Sequence, residues 1–297
     1  MKTKQKVIVI LGQTATGKSD LAVAIAKKID GEVISADSRQ VYKGLNIGSG
    51  KITKKEMRGV HHHMLDIVNP KNTFSVSQFK DMAEKKIIDI LKRGKTPILC
   101  GGTGFYIDAI TKNTIFPEVP PNKNLRKKLE KETTEQLFKQ LQKLDSARAK
   151  NIDSKNKVRL IRSIEIALFL GKVPKIPKQK AKYNFQKIGL YLPKNLLEDK
   201  IKNRLSKRIK KGMLAEVKNL HTKGVSWNRL ESFGLEYKYI ALYLQKKLTK
   251  HEMLTKLETE IYHYAKRQWT WFKRDQDVLW FEGYTKTNFK KICAKIK

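Results

Sequence analysis

The stretch Gly12-Gln-Thr-Ala-Thr-Gly-Lys-Ser19 decides the fold of this chain. It matches the pattern G-x-x-x-x-G-K-[ST], and it follows an apolar run, residues 6–11, that is typical of a buried strand. Residues 19–29 then place apolar side chains at helical spacing. A strand, a glycine-containing loop and a helix in this order predict a P-loop, in which backbone amides and the helix N-terminus bind a polyphosphate.

The motif assigns a role to each of its residues. Lys18 is expected to reach the phosphate oxygens, and the hydroxyl of Ser19 is expected to hold Mg²⁺, the predicted cofactor. The motif indicates that a polyphosphate binds, but it leaves the reaction open. The predicted diphosphate-binding residues of the loop are Gly12, Gln13, Thr14, Ala15, Thr16, Gly17, Lys18 and Ser19.

Strands and helices alternate over the first hundred residues. Further strands are predicted at residues 32–36 and 97–100, and an amphipathic helix is predicted at 75–93 between them. This alternation is typical of an α/β fold with helices on both faces of the sheet. We therefore predict a P-loop NTPase-like parallel sheet core.

A helical segment interrupts the sheet pattern. Three prolines between residues 117 and 121 break the chain, and a helical stretch without strand-like runs follows. Residues 185–192 and 278–281 then predict two more strands, and Thr249 with Glu252 forms a capping box for a long helix ending near residue 273. The predicted domains are a P-loop catalytic core with C-terminal helices, residues 1–116 and 184–297, and an inserted, mainly helical domain, residues 117–183.

The charge of the chain indicates a polyanionic partner. Sixty-four Lys and Arg residues oppose 28 Asp and Glu residues, which gives a net charge of +36. A lysine-rich proteome would raise both parts of the chain alike. Residues 1–110 carry 19 basic and 10 acidic side chains, net +9, whereas residues 111–297 carry 45 and 18, net +27. The steeper excess in the second part favours a nucleic-acid surface there.

The remaining composition favours a cytoplasmic protein. Only two cysteines, Cys100 and Cys293, are present, so a disulfide framework is not expected. No apolar stretch approaches the roughly 18 residues of a membrane span, and the first apolar segment is too short for a signal peptide. Because no heptads or apolar stripe are visible, we expect a monomer. The run at residues 61–63 is all histidine, but it lacks nearby partners at metal-ligand spacing.

Two further loops follow predicted strands at the edge where parallel sheets bind ligands. Asp37 follows the second strand, and Thr103 follows the third. Asp37 could be a general base, an indirect metal ligand or a helix N-cap. Thr103 could donate a hydrogen bond to phosphate or cap a helix. Both loops should border the P-loop.

Seven segments of the chain form a specific combination: GQTATGKS at 12–19, SADSRQVYKGLNIGSGK at 35–51, HHHMLDI at 61–67, GGTGFY at 101–106, and residues 159–165, 204–217 and 267–272. In this order and spacing they resemble the motifs of the tRNA dimethylallyltransferases. The resemblance implies a P-loop core with an inserted helical domain that binds tRNA. It implies an enzyme that transfers a dimethylallyl group from dimethylallyl diphosphate to the N6 amine of the adenosine 3′-adjacent to the anticodon. The P-loop would then hold diphosphate instead of ATP.

Four departures from the family pattern are visible, and one of them is His61, an extra residue beside the two histidines that the family carries. Gln13 stands where proline is common, and Thr16 stands where serine is common, but neither change removes a P-loop amide. Lys200 replaces a frequent arginine, which weakens the detailed interpretation of its helix.

The resemblance also implies roles for individual residues. Asp37 would take the proton from the amine, Thr103 would lie where the two substrates meet, and these two with Lys18 are the predicted catalytic residues. Arg204 is either a second diphosphate contact or one of seven cations between Lys200 and Lys211 on a solvated helix. The predicted tRNA-binding residues are Asp37, Ser38, Arg39, Gln40, Thr103, Arg126, Arg159, Leu160, Ile161, Arg162, Ser163, Lys266, Arg267 and Gln268.

The segment at residues 266–274 interleaves aromatic and cationic side chains, a pattern that suits unpaired bases and their phosphates. Trp271 and Phe272 within it either stack on bases or pack in the core at helical spacing.

Other functions compete with this interpretation. A P-loop small-molecule or nucleoside kinase would consume ATP. An isopentenyltransferase acting on free adenine nucleotides would accept AMP, although the basic second part favours a macromolecular acceptor. A basic RNA-binding module with a degenerate P-loop would lack turnover.

Overall fold

The computed structural model describes residues 4–177 and 179–296. The chain divides into two compact units. We call Met1–Asn113 with Lys180–Lys297 the core unit and Thr114–Gln179 the inserted unit. No helix within the described residues combines the length and the apolar character needed to cross a bilayer.

A six-stranded parallel sheet forms the centre of the core unit. The strands are β1 (Lys6–Gly12), β2 (Gly31–Ser35), β3 (His62–His63), β4 (Thr96–Cys100), β5 (Asn184–Tyr191) and β6 (Val278–Glu282). Their order is β3-β2-β4-β1-β5-β6, so β1 lies between β4 and β5. The loop after β1 therefore opens at the middle of the sheet edge.

Fourteen helices are present in the described residues. They are α1 (Lys18–Lys28), α2 (Lys54–Met57), α3 (Val76–Lys92), α4 (Gly104–Thr111), α5 (Lys123–Leu129), α6 (Thr134–Leu144), α7 (Ser146–Ala149), α8 (Lys157–Leu170), α9 (Lys194–Lys210), α10 (Met213–Thr222), α11 (Trp227–Ser232), α12 (Leu235–Leu244), α13 (Lys250–Phe272) and α14 (Lys286–Lys295). The inserted unit contains α5 to α8.

Helices cover both faces of the sheet because β1 is apolar from Val7 to Leu11. Val7 and Val9 pack on one face with residues of α3 and α4. Ile8 and Ile10 pack on the other face with residues of α1 and α14. Successive side chains of a strand point to opposite faces, so an unbroken apolar run serves two cores at once. A third core joins α9 to α13 with residues that follow β2.

The predicted α/β fold with a parallel sheet is confirmed. The five predicted strands begin and end within one residue of β1, β2, β4, β5 and β6. The predicted capping box is present, since Thr249 caps α13 and Glu252 bonds back to its backbone. Three elements were not predicted, namely α2, α14 and β3. β3 is two histidines long and lies at the edge of the sheet, so it has no apolar pattern to recognise.

Candidate active site

The P-loop connects β1 to α1 at the carboxyl edge of the sheet. Gly12 has a φ of +131°, and a side chain there would collide with the backbone of Leu190 in β5. The loop is closed from within, because the Thr16 hydroxyl donates to the Gln13 carbonyl at 2.8 Å and the Lys18 ammonium donates to the same oxygen. Backbone and side chain thus hold the loop in shape before any ligand binds.

Lys18 is partly buried, at a position that favours its neutral form. Burial lowers the pKa of Lys18 to about 8, and the nearby Arg204 acts in the same direction, against the opposing effects of Cys100 and Asp37. A polyanion in the loop would favour the charged ammonium again. The site is therefore organised to receive negative charge.

Arg204 reaches the P-loop from α9. Its Nη2 donates to the Thr14 hydroxyl at 2.7 Å. Burial, followed by the charge of Arg208, lowers the pKa of Arg204 below its ordinary value. The geometry excludes the alternative of a cation on a solvated helix face, and it places a second cation beside Lys18.

Asp37 lies in the turn after β2. Its Oδ1 accepts from the backbone amides of Arg39 at 2.8 Å and Gln40 at 3.2 Å. These bonds form a local turn, not the cap of a helix, since residues 38–41 are not helical. The turn fixes the direction of the carboxylate.

One cavity of about 330 Å³ is lined by some of these groups, whereas Lys18, Ser19 and Thr103 are not among its lining residues. Asp37 lines it together with Thr14 and Arg204, so the carboxylate and the corner of the P-loop face the same space. Its walls comprise Thr14, Asp37, Ser38, Arg39, Gly48, Ser49, Arg204, Arg208, residues 233–239, Glu260, Ile261, Tyr264 and Arg267.

Thr103 ties two loops together. It occupies the N-cap position of α4, but its side chain makes no capping bond. Instead its Oγ1 accepts from the Ser38 amide at 3.0 Å, and its own amide donates to the Ala36 carbonyl at 3.2 Å. The loop after β4 therefore supports the loop that carries Asp37.

Gln268 was predicted to contact tRNA, but the structure places it between loops of the core unit. Its side chain lies in α13 and is 5% exposed. Oε1 accepts from the Thr14 amide at 2.7 Å, and Nε2 donates to the Gly102 carbonyl at 2.8 Å. Both ends of the amide are thus engaged within the protein, which leaves no free end for RNA in this conformation.

The other predicted tRNA contacts of the core unit differ in their surroundings: three line the cavity, one is hydrogen-bonded within the protein, and one is an exposed residue of α13. Ser38, Arg39 and Arg267 line the cavity. Gln40 is held inside, since its Oε1 accepts from the Ser35 hydroxyl at 3.0 Å and its Nε2 donates to the Gly50 carbonyl at 3.3 Å. Lys266 is exposed on α13.

Trp271 and Phe272 belong to the core. Phe272 is 2% exposed, and Trp271 is partly buried in the same cluster, with its indole against Gly104. Of the two alternatives predicted for this pair, packing in the core is therefore confirmed.

In the inserted unit, three predicted tRNA contacts are buried. Leu160 and Ile161 belong to its hydrophobic core, and Ser163 is 3% exposed and lies near the Arg148 guanidinium. Their side chains do not form an RNA-facing surface, because α8 turns this stripe toward α6. Arg159 remains exposed.

Arg126 and Arg162 share one buried carboxylate in the inserted unit. Arg126 donates to both oxygens of Glu165, at 2.9 and 2.6 Å, and Arg162 donates to Oε2 at 2.5 Å. Glu165 is 2% exposed, whereas each guanidinium is about one-third exposed. The two arginines thus stabilise the fold with one face and present their other face to solvent.

Sequence reasoning missed several residues around the cavity. Arg208 donates to Glu236 at 3.0 Å, one helical turn beyond Arg204. Glu216 accepts from the amides of residues 46–48, at 2.7 to 3.1 Å, and from the Tyr237 hydroxyl at 2.9 Å. The i, i+4 spacing of the two arginines was the one available signal. Glu216 offered none, because the backbone amides that it accepts from lie about 170 residues away in the sequence.

The side chains present fit a magnesium ion that is bound mainly through its substrate. Among the described residues, no group of three or more His, Cys, Asp or Glu side chains could hold a metal. Ser19 is exposed in the first turn of α1. Mg²⁺ commonly takes one or two protein oxygens and completes its shell with phosphate oxygens and water. In the histidine run at residues 61–63, the Nε2 atom of His63 lies 2.8 Å from a carboxylate oxygen of Glu32.

The fold and the cavity define a P-loop protein in which the loop after β1 and a carboxylate line one cavity. Residues 40–275 match the family model described as IPP transferase. The chain belongs to the IPP transferase family.

Curated relatives and solved structures agree with this membership. The chain is 41% identical to the tRNA dimethylallyltransferase of Halothermothrix orenii and 38% identical to that of Anoxybacillus flavithermus, over 98% of its length and 91% and 95% of theirs. It superposes on the tRNA isopentenylpyrophosphate transferase of Bacillus halodurans with a TM-score of 0.76 and 34% identity, covering 99% of this chain and 96% of that one. A eukaryotic dimethylallyltransferase acting on tRNA gives a TM-score of 0.79 and 25% identity, with 98% and 77% covered.

Proposed function

We propose that this chain transfers the dimethylallyl group of dimethylallyl diphosphate to the N6 amine of the adenosine 3′-adjacent to the anticodon of tRNA, with release of diphosphate. One observation carries the proposal: Asp37 and the Thr14–Arg204 corner of the P-loop line one cavity. Alkylation of an amine by an allylic diphosphate needs these two groups close together. The names of the relatives support the same reaction.

The P-loop side of the cavity stabilises the leaving group. The backbone amides of the loop, Lys18 and Arg204 together neutralise the diphosphate as the bond between C1 of the dimethylallyl group and the bridging oxygen breaks. Because these donors are held by internal hydrogen bonds, they need little reorganisation during the reaction.

The Asp37 side of the cavity activates the nucleophile. The adenosine N6 attacks C1 with its lone pair, and the Asp37 carboxylate accepts the proton that N6 loses. The products are N6-dimethylallyladenosine, diphosphate and a proton. The amides of Arg39 and Gln40 hold Oδ1, which orients the carboxylate during this transfer.

The target base must leave its stack to react. An adenine stacked in an anticodon loop is too far from a recessed carboxylate, so we propose that it flips into the cavity. The cavity volume of about 330 Å³ suits one small group and not a helical stem. The proposed contacts to the base and its neighbours are three residues of the cavity wall, Ser38, Arg39 and Arg267. The proposed contacts to the phosphate backbone of the tRNA are four cations, Lys266, Arg159, Arg126 and Arg162.

Magnesium would be held by the Ser19 hydroxyl together with the substrate diphosphate. When bound, the ion would supply further neutralisation of the leaving diphosphate. We propose that the chain works as a cytoplasmic monomer.

Mass analysis of tRNA nucleosides tests this function. Purified protein is incubated with tRNA, Mg²⁺ and dimethylallyl diphosphate, and N6-dimethylallyladenosine is expected at position 3′ to the anticodon. Parallel reactions replace the prenyl diphosphate with ATP or the tRNA with AMP. Consumption of ATP, or a faster rate with AMP than with tRNA, would instead support the kinase or the free-nucleotide enzyme.

A further inference from the structure

The side chain of Gln268 joins two loops that lie far apart in the sequence. The Thr14 amide donates to its Oε1 at 2.7 Å, and its Nε2 donates to the Gly102 carbonyl at 2.8 Å. Gln268 is 5% exposed and belongs to α13, but neither bond serves that helix. The side chain therefore acts as a bridge between the P-loop and the loop after β4.

The bridge continues to the catalytic carboxylate. Gly102 precedes Thr103, whose hydroxyl oxygen accepts from the Ser38 amide at 3.0 Å. Ser38 follows Asp37 directly. An unbroken series of covalent and hydrogen bonds thus runs from Thr14 through Gln268 to Asp37.

Gly102 gives independent support for this bridge. A Cβ atom at Gly102 would overlap the Nε2 atom of Gln268. The position needs glycine because the glutamine amide fills the space of a side chain. The two residues of the bridge are thus fitted to each other.

We propose that Gln268 is a positioning residue that sets the distance between the phosphate-binding loop and the loop that activates the amine. This inference rests on the proposed function. The Thr14 amide requires an acceptor and the Gly102 carbonyl requires a donor, and a neutral carboxamide supplies both. Group transfer depends strongly on the separation of the reacting atoms, so loss of the bridge lowers turnover without touching a substrate.

Three substitutions and a matched control test the bridge. Gln268→Met keeps the length of the side chain and removes both bonds, and Gly102→Ala displaces the amide while Gln268 is retained. The control is Gln245→Ala, since Gln245 bonds to Glu231 and Ala241 away from the cavity. We expect kcat to fall about 10- to 100-fold in both bridge variants, with the KM for tRNA within about twofold of the wild type. The control should keep its kcat.

Gln268→Glu separates the two bonds. Its carboxylate still accepts from the Thr14 amide, but it opposes the Gly102 carbonyl with a second acceptor. Protonation restores the donor, so kcat relative to the wild type should rise as the pH falls from 8 to 6. If Gln268 only filled space, the ratio of the kcat of Gln268→Glu to that of the wild type would not depend on pH. That result would overturn the proposal. If Gln268→Met does not fold, the pH dependence of kcat in Gln268→Glu tests the proposal in its place.

Hydrogen exchange supplies a readout that is independent of turnover. The amides of residues 12–19 and 101–106 should both exchange faster in Gln268→Met than in the wild type and in Gln245→Ala. If the wild type does not prenylate tRNA, the proposed function fails, and this exchange result alone decides on the bridge. Unchanged exchange, unchanged kcat, or a loss of tRNA affinity with kcat retained would each overturn the positioning role.

Discussion

The guanidinium of Arg204 donates to the hydroxyl of Thr14 at 2.7 Å, across 190 positions of sequence. A residue of α9 thereby closes the corner of a loop that belongs to β1 and α1. Lys18 donates to the Gln13 carbonyl inside the same loop, so two cations, Lys18 and Arg204, contact the P-loop. The first prediction follows from this pair.

Arg204→Ala should raise the KM for dimethylallyl diphosphate about 10- to 100-fold, because a hydrogen bond to a charged group contributes about 1.5–3 kcal/mol. Arg204→Lys should recover only part of the loss, since an ammonium lacks the planar fork of donors. Steady-state kinetics at saturating tRNA measure the effect. Lys202→Ala on the exposed side of α9 is the control, and an equal effect there would contradict a local contact.

Asp37→Asn should lower kcat about 10²- to 10⁴-fold while tRNA binds with unchanged affinity. The amide keeps an acceptor for the Arg39 and Gln40 backbone, so the turn is preserved. Single-turnover transfer and filter binding of tRNA measure the two properties. If both fell together, Asp37 would be a binding residue and not a base.

The pKa of Lys18, lowered to about 8 by burial, predicts a pH-dependent affinity. Bound diphosphate requires the ammonium form. The dissociation constant for diphosphate should therefore change little between pH 7 and 8 and rise toward tenfold per unit above pH 8. Calorimetric titrations at several pH values measure it. Lys18→Met should bind weakly and without this dependence, and a rise that persists in the variant would assign the titration to another group.

The buried Glu32 predicts a loss of stability in acid. The Arg93 guanidinium, which donates to both carboxylate oxygens, lowers the pKa of Glu32 to about 2, and His63 acts in the same direction. Because the folded pKa lies below its ordinary value of 4.5, the stabilisation is complete above about pH 4.5 and is lost as the pH falls toward 2.

Glu32→Gln should lower the free energy of unfolding at pH 7 by about 2 kcal/mol and flatten its decline below pH 4.5. Urea unfolding measured from pH 3 to 7 provides the comparison. Asp89→Asn is a matched control, since Asp89 contacts the same arginine at 3.1 Å but is half-exposed, and it should cost no more than about 0.5 kcal/mol. Equal losses in the two variants would contradict the assigned role of burial.

Affinity for tRNA should fall steeply with salt. If about four or more phosphates are neutralised, the logarithm of the association constant should decline with the logarithm of the salt concentration with a slope of about −3 or steeper. Binding of dimethylallyl diphosphate at the same salt concentrations is the reference. A flat profile for tRNA would leave the net charge of +36 as a feature of composition alone.

Local patterns in the sequence determined the secondary structure and the class of the site. The apolar run that forms β1, the P-loop motif and the capping box at Thr249 each act within a few residues, so they are readable without a fold. Asp37 and Thr103 were located because parallel strands bring their carboxyl ends to one edge. The two-residue β3 was missed because pairing with β2, and not its own pattern, makes it a strand.

Only the tertiary structure decided what the long-range partners do. Gln268 and Ser163 stand in motifs that resemblance connects to tRNA, but the first bridges two loops and the second is buried. Hydrogen-bond partners and burial depend on residues that are distant in the chain, and a motif does not encode which side chain reaches which loop. The sequence by itself determined that a P-loop motif and a carboxylate each follow a strand of the sheet. Packing of α9 and α13 against the sheet edge decided how the two are held together.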